Sequence, residues 1–407
     1  MKIDQTFIRR RAHKRFATAL FCCTAAAAVL AWMFHLWQSV PSAIRVRAGE
    51  QQNIDFYVPA TAVIYKNNGD SPKEQGVSVS LDQEVTFYGE VEDTYTMAVE
   101  LFGFIPFKNT SVSVIQDREL IPAGIPIGIY VKTDGVLVID TGTFRGADGD
   151  QVQPAQDLLL PGDYIQRING RAIEEKAELI EIIDNSNGER LHMEVEREGE
   201  LLSLSLQPEM DEAGEYKLGI WVRDNAQGIG TLTFVDENRY FGALGHGVND
   251  LDTSHLMELS RGNLYKTDII AVNKGEAGSP GELTGVISYS AANILGDIRE
   301  NTDCGIYGVI NSDDLEMEEE ALPIALKQEV ETGSAQIICT IDEQRTYYDI
   351  EITAANIQDG NVNRGMEITV TDPALLEMTG GIVQGMFTSY NGSNNRKARK
   401  IKGFLMF

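Results

Sequence analysis

From Phe16 to Trp37 the chain runs almost unbroken in apolar residues, FATALFCCTAAAAVLAWMFHLW. That length crosses a bilayer as one helix. After Val40 the pattern changes to short apolar–polar alternations: AIRVRAG, NIDFYV, GVSVSL, EVTFYGEV and TYTMAVELFGF, with turn residues such as Asn67-Asn68-Gly69-Asp70-Ser71-Pro72 between them. Period two with Gly, Asn and Asp punctuation predicts antiparallel strands. Next come two strands, Ile127–Val131 and Gly135–Ile139, a polar loop, and LLLPGDYIQRINGRAI. There Gly162-Asp163 turns the chain, and Asn169-Gly170 favours a type I′ hairpin turn. KAELIEIID sets Leu179, Ile182 and Ile183 at helical spacing, and LHMEVER and LLSLSLQP close as a hairpin over Glu198-Gly199. Beyond the acidic linker EMDEAGEY the chain is strand-rich again, with KLGIWVRD, IGTLTFVD, RYFGALG, KTDIIAV, AQIICTID, YYDIEIT and GMEITVTD. The fold class is therefore mainly β behind one apolar helix.

These patterns divide the chain into a basic flank at 1–15, a transmembrane helix at 16–40 and a β-rich region at 41–115. A second β domain covers 116–208, a third 217–386, and a basic tail 387–407. Lys2, Arg9, Arg10, Arg11, Lys14 and Arg15 precede the helix, which keeps that end cytoplasmic and exports the body. A cleaved signal peptide is the alternative, with Pro41-Ser42-Ala43 nearby, but the apolar run exceeds a signal core of about 7 to 15 residues.

With 43% apolar and 23% charged residues, 407 residues build real cores. The net charge of −27 is uneven, because both ends are basic and the body between them carries 23 bases against 60 acids. Such a surface repels nucleic acid and anionic headgroups, which excludes DNA binding. Cys22 and Cys23 lie in the apolar run, leaving Cys304 and Cys339, and the five histidines form no cluster with them. Neither a metal site nor another cofactor is implied.

Two residues could carry chemistry. His246 stands between Gly245 and Gly247 straight after an apolar strand, where an imidazole can serve as a general base. Asp372, in Thr369-Val370-Thr371-Asp372-Pro373, ends another strand and could orient that imidazole. Read alone, each has a plainer explanation: a structural histidine, and an Asp-Pro turn or helix cap.

The segment 116–208, with L-x-P-G-D-x-I-x-x-I-N-G-x-x-I, resembles a PDZ domain. The resemblance implies peptide capture at a strand edge, with amides near Ile127, Gly128 and Ile129 facing a carboxylate, or a module used only for docking or occlusion. From the apolar helix through Met386 the chain resembles the SpoIVB peptidase family, membrane-anchored serine proteases of endospore-forming bacteria. LFGFIPFKNTSVSVI, GIWVRDNAQGIGTLTF, YFGALGHGVNDLDT, KGEAGSPGE and ITVTDPALLEMTGGIVQGM carry that resemblance. It implies His246 as base, Asp372 as acid and a chymotrypsin-like β-barrel. It also implies location in the forespore membrane facing the intermembrane space. The implied partners are a protein substrate, the chain itself through autocleavage, and an intramembrane metalloprotease complex of sporulation.

In the family GGIVQGM leads into Ser-Gly-Ser-Pro, whose first serine is the nucleophile, whereas here Phe387-Thr388-Ser389-Tyr390 follows Met386. Ser389 lies two places late, and Ser279, in Gly278-Ser279-Pro280-Gly281, reads as turn chemistry. The basic tail, with no β periodicity and no acids, reads as foreign to the body, as a frameshift or premature stop after Met386 would produce. An incomplete barrel with an open edge and low stability is the corresponding expectation. The alternative is a pseudoprotease or membrane-tethered PDZ adaptor that binds without cleaving.

Overall fold

A computed structural model of the chain describes residues 5–66, 76–276, 279, 281–315, 317, 320–326, 329–341, 344–355, 366–381, 388–390 and 403–404. The chain divides into two compact units, one built on Met1–Arg118 and one on most of the sequence from Glu119.

In the first unit, helix α1 (Gln5–Ser39) starts inside the basic flank, because no Gly or Pro interrupts it there. Its Ala19–Ser39 stretch has a mean hydropathy of 1.9 and is long and apolar enough to cross a membrane. After a short link come β1 (Ala43–Arg47), β2 (Ala60–Lys66), β3 (Val77–Ser80), β4 (Asp93–Leu101) and β5 (Ile105–Ile115). They form one sheet in the order β1-β5-β4-β2-β3. One ladder departs from the all-antiparallel expectation, since β1 pairs in parallel with β5. No hairpin joins these two strands, as the first and last strands of the sheet meet at its edge. Val40, Ile44, Ala62, Met97, Val99 and Val112 fill the core beneath. Lys108 on β5 fastens the helix end: its buried Nζ donates to Trp37 O at 3.2 Å and Val40 O at 2.5 Å. Two of the carbonyls that the helix terminus leaves unpaired are thereby satisfied. Burial pulls the Lys108 ammonium below its ordinary pKa.

In the second unit, β6 (Glu119–Thr141) is a single 23-residue strand where the sequence pattern indicates two. It is followed by β7 (Tyr164–Ile168), helix α2 (Lys176–Asp184), β8 (Leu191–Arg197), β9 (Glu200–Leu206), β10 (Ile220–Val235) and β11 (Tyr240–Leu244). Then come β12 (Leu259–Asn273), β13 (Ile294–Thr302) and β14 (Gly305–Ile310). The antiparallel ladders β6–β10, β10–β11, β11–β14, β14–β13, β13–β12 and β12–β6 close into a ring of six. Ile127, Val131, Leu232, Phe241, Leu264 and Ile298 pack inside it.

The segment between β6 and β10 makes a second core around α2, with Val136, Val138, Ile165, Leu179, Met193 and Leu206. Its hairpins use the expected turn residues, with Asn169 and Gly170 at φ 51° and 79° and Glu198 and Gly199 at 51° and 80°. The boundaries at 116–208 and 217 are corrected, since residues 121–133 of β6 pair within the ring.

The last sheet consists of β15 (Gly333–Ile341), β16 (Gln344–Ala355), β17 (Met366–Val370), β18 (Thr388–Tyr390) and β19 (Gly403–Phe404), with helix α3 (Pro373–Thr379) after β17. Its order is β17-β16-β15-β18-β19. Two stretches of the basic tail, Thr388–Tyr390 and Gly403–Phe404, therefore sit in the sheet, although the tail's sequence shows no β periodicity.

Candidate functional site

β11 ends at Leu244 and delivers the chain into Gly245-His246-Gly247. His246 is exposed, and its Nδ1 lies 2.7 Å from Gly247 O. The turn needs its second glycine, because a Cβ at Gly247 would collide with the carbonyl of Thr302 and the side chain of Leu256. A cleft of about 470 Å³ opens beside His246, between Ala243–Asn249 and Asn225–Thr231 of β10. Along Asn225–Thr231, β10 pairs with β6 on one side, and its ladder to β11 covers Phe234 and Val235. Among the described residues no second ladder runs along Asn225–Gly230 on the side facing His246, the geometry by which a strand edge accepts an extended chain.

The loop after His246 is tied down by residues that sequence patterning does not single out. Asn301 Oδ1 accepts from Val248 N at 2.8 Å, and its Nδ2 donates to Val248 O and Met257 O, each at 2.9 Å. The Asp250 carboxylate is fully buried; it pairs with Arg223 of β10 and accepts from the amides of Asp252 and Thr253. The available signal is one arginine within the strand IWVRDNAQ and the acids of VNDLD, and their pairing is invisible without the fold.

The loop returns through Glu258, whose amide donates to Tyr164 Oη at 3.0 Å, linking it to the α2 core. Residue 258 as a whole is solvent-exposed, yet its carboxyl is turned against Glu196. Burial of that carboxyl, the Glu196 hydrogen bond and charge, and Asp134 push its pKa up to about 7. A carboxyl with a raised folded pKa stabilises the fold fully below its unfolded value, and that contribution fades as pH climbs through the folded one. Solvent screening keeps it small. The melting temperature should therefore decline between about pH 4.5 and about pH 7, and Glu258→Gln should flatten that decline. An unchanged pH profile in the variant would refute the assignment.

Asp372 stands elsewhere. It caps α3, its Oδ1 accepting from Ala374 N at 2.9 Å and Leu375 N at 3.2 Å. Its Oδ2 is 3.5 Å from Asp349 N. It does not line the His246 cleft, and no hydrogen bond joins it to His246 among the described residues. It lies beside buried Cys339, whose thiol is pushed up to about 12 by burial first and by the Asp372 charge second.

Phe387 lies outside the described residues. The backbone of Ser389 occupies a ladder position opposite Ile337. Ser279 closes a tight turn, exchanging backbone bonds with Glu276 at 2.9 Å in each direction, as turn chemistry predicts.

The peptide-capture expectation at Ile127, Gly128 and Ile129 is corrected. Those residues pair in turn with Gly230, Ile229 and Gly228 of β10 on one side and with Lys266, Tyr265 and Leu264 of β12 on the other. With both edges occupied and Ile127 fully buried, no strand can add there. Next to α2, the start of β10 is laddered among the described residues to β6 alone, at Ile220–Val222. Leu179, Ile180 and Ile183 of the helix face Leu218–Val222 across a groove of about 460 Å³.

Residues 214–396 match the family model described as SpoIVB peptidase S55. The matched span contains His246, every residue lining its cleft except Ile129, and Asp372, and it runs past Met386. Over residues 214–396 the chain is similar to the SpoIVB peptidase S55 family.

Proposed function

We propose that the chain is a membrane-tethered, SpoIVB-type serine endopeptidase scaffold whose substrate cleft lies between His246 and Asn225–Gly230 of β10, and whose nucleophile position is filled by Phe387. The observation that carries this reading is the glycine-bracketed His246 lining a cleft of about 470 Å³ beside Asn225–Gly230 of β10, which among the described residues is laddered on one side only. The edge supplies backbone bonds to an extended substrate, and the exposed imidazole supplies a general base. Asp372 as the acid would have to share its cap. Oδ1 is committed to the helix amides, which leaves Oδ2, with its long contact to Asp349, for an imidazole. The groove between α2 and Leu218–Val222 supports PDZ-like peptide capture, with Gly219 at φ 69° opening the edge. Export of the body and signalling proteolysis in sporulation complete the proposal.

The Phe387 side chain favours a second reading, a pseudoprotease that binds and does not cut, because phenylalanine offers no nucleophile. A fluorophosphonate probe on the detergent-solubilised full chain separates the two states. The chain as it stands should stay unlabelled, and Phe387→Ser/Thr388→Gly should label. His246→Ala in that background should slow labelling by about 10²- to 10⁴-fold. Labelling of the unaltered chain would defeat the missing-nucleophile reading, and indifference to His246→Ala would defeat the general base.

A further inference from the structure

The turn joining β4 to β5 presents apolar residues to solvent at Phe102 (55% exposed), Phe104 (72%) and Ile105 (42%). Its sequence is the reverse of ordinary hairpin chemistry. Phe102 adopts φ 54° and Gly103 φ 78°, a conformation that Asn or Gly takes readily and a bulky residue rarely adopts. An exposed aromatic at such a position has no packing reason within its own sheet.

The turn lies along the apolar helix. Phe102 stacks on Trp32 at 6.3 Å with 27° between planes, and Phe107 meets Trp37 edge-on at 5.4 Å. Lys108 stands 4.9 Å from the Trp37 ring centre while holding the carbonyls of Trp37 and Val40. The strand is thus fixed to the helix end by a charged contact, with its tip pointing back along the apolar stretch. At 1.5 Å per residue, Trp32 sits about 10 Å before Ser39, so Phe102 lies about 10 Å down the spanning segment. The backbone suits that depth, because the three tip amides are paired internally: Phe102 N to Pro59 O, Gly103 N to Glu100 O and Phe104 N to Leu101 O. Unpaired amides would forbid entry into hydrocarbon.

We propose that the Phe102–Ile105 tip is a second membrane contact, inserted into the outer leaflet beside α1. The occupant of this apolar surface is lipid, since the patch continues the exposed apolar surface of the spanning helix, on which Phe102 stacks against Trp32. The inference rests on α1 acting as an anchor.

The test places a photoreactive benzoylphenylalanine at position 104, or at 102, of the full chain reconstituted into phosphatidylethanolamine/phosphatidylglycerol vesicles. Flotation reports the anchor and mass spectrometry reports adducts. The control position is Val91, exposed just before the far end of β4, a strand that spans roughly 27 Å at 3.4 Å per residue. Lipid adducts at 104 and 102 and their absence at 91 are expected. Floating chains without lipid adducts at the tip, or with equal adducts at 91, would overturn the inserted tip and leave the anchor standing. Adducts to protein alone would replace lipid with a protein partner and also overturn it. Failure to float would overturn the anchor and the inserted tip together.

Discussion

Replacing Arg197 with methionine should destabilise the α2 core by about 3–5 kcal/mol, because it strands a buried carboxylate. Asp163 has a fully buried side chain, and Arg197 grips it bidentately, Nε to Oδ1 at 2.7 Å and Nη2 to Oδ2 at 2.8 Å. The same guanidinium donates to Leu158 O, and Asp163 Oδ2 accepts from Leu160 N, so one ion pair organises the whole LLLPGD turn. With the cation gone, the anion keeps one amide and loses its fork. The double variant Asp163→Ala/Arg197→Met should cost less than the two single changes added together, since no uncompensated charge remains. Hydrogen exchange of the β7 and β8 amides reads the effect locally. A cost below about 1 kcal/mol would mean that the pair behaves as a surface salt bridge.

Arg223→Met should have the second large effect, about 3 kcal/mol, concentrated on the loop after His246. Asp250 is as deeply buried as Asp163 but retains amide and hydroxyl donors from Asp252 and Thr253, which puts the cost at the low end. Arg223 also bonds Asp252 at 2.8 Å, so its loss frees both ends of that turn. Amides from Gly247 to Met257 should lose exchange protection in the variant while those of β8 and β9 keep theirs. Arg223→Lys should fall between the two, retaining charge without the planar fork. Equal protection in wild type and Arg223→Met would show that the loop is held by Asn301 alone.

Local chemistry was legible from sequence wherever structure is made locally. KAELIEIID is the observed α2 to the residue, with Leu179 and Ile183 inward, and Asn169-Gly170 and Glu198-Gly199 turn as their residue types require. The exposed His246 between glycines was equally readable. Non-local pairing was not. Lys132-Thr133-Asp134-Gly135 looks like a turn between two strands, and Gly135 does take φ 93°. The chain nevertheless continues as one strand, because Ile127 and Val131 face the ring core while Val136 and Val138 face the α2 core. Nothing within those residues announces that β10 and β12 cover both edges of Ile127–Ile129, so a strand already sandwiched was read as an open shelf. Asp372 illustrates the converse, since the local reading of a cap before proline describes its bonds and the long-range one does not.

The shared strand also constrains how this chain can be rebuilt. Cutting at 116 and 208 would carry away β6 and with it one wall of the six-membered ring, whereas an insert bounded by 136 and 219 leaves that wall in place. The helix-bearing segment is therefore a graft between two staves of one vessel, not a bead on a string, and it can be exchanged only by a sequence that enters and leaves along the same antiparallel pair.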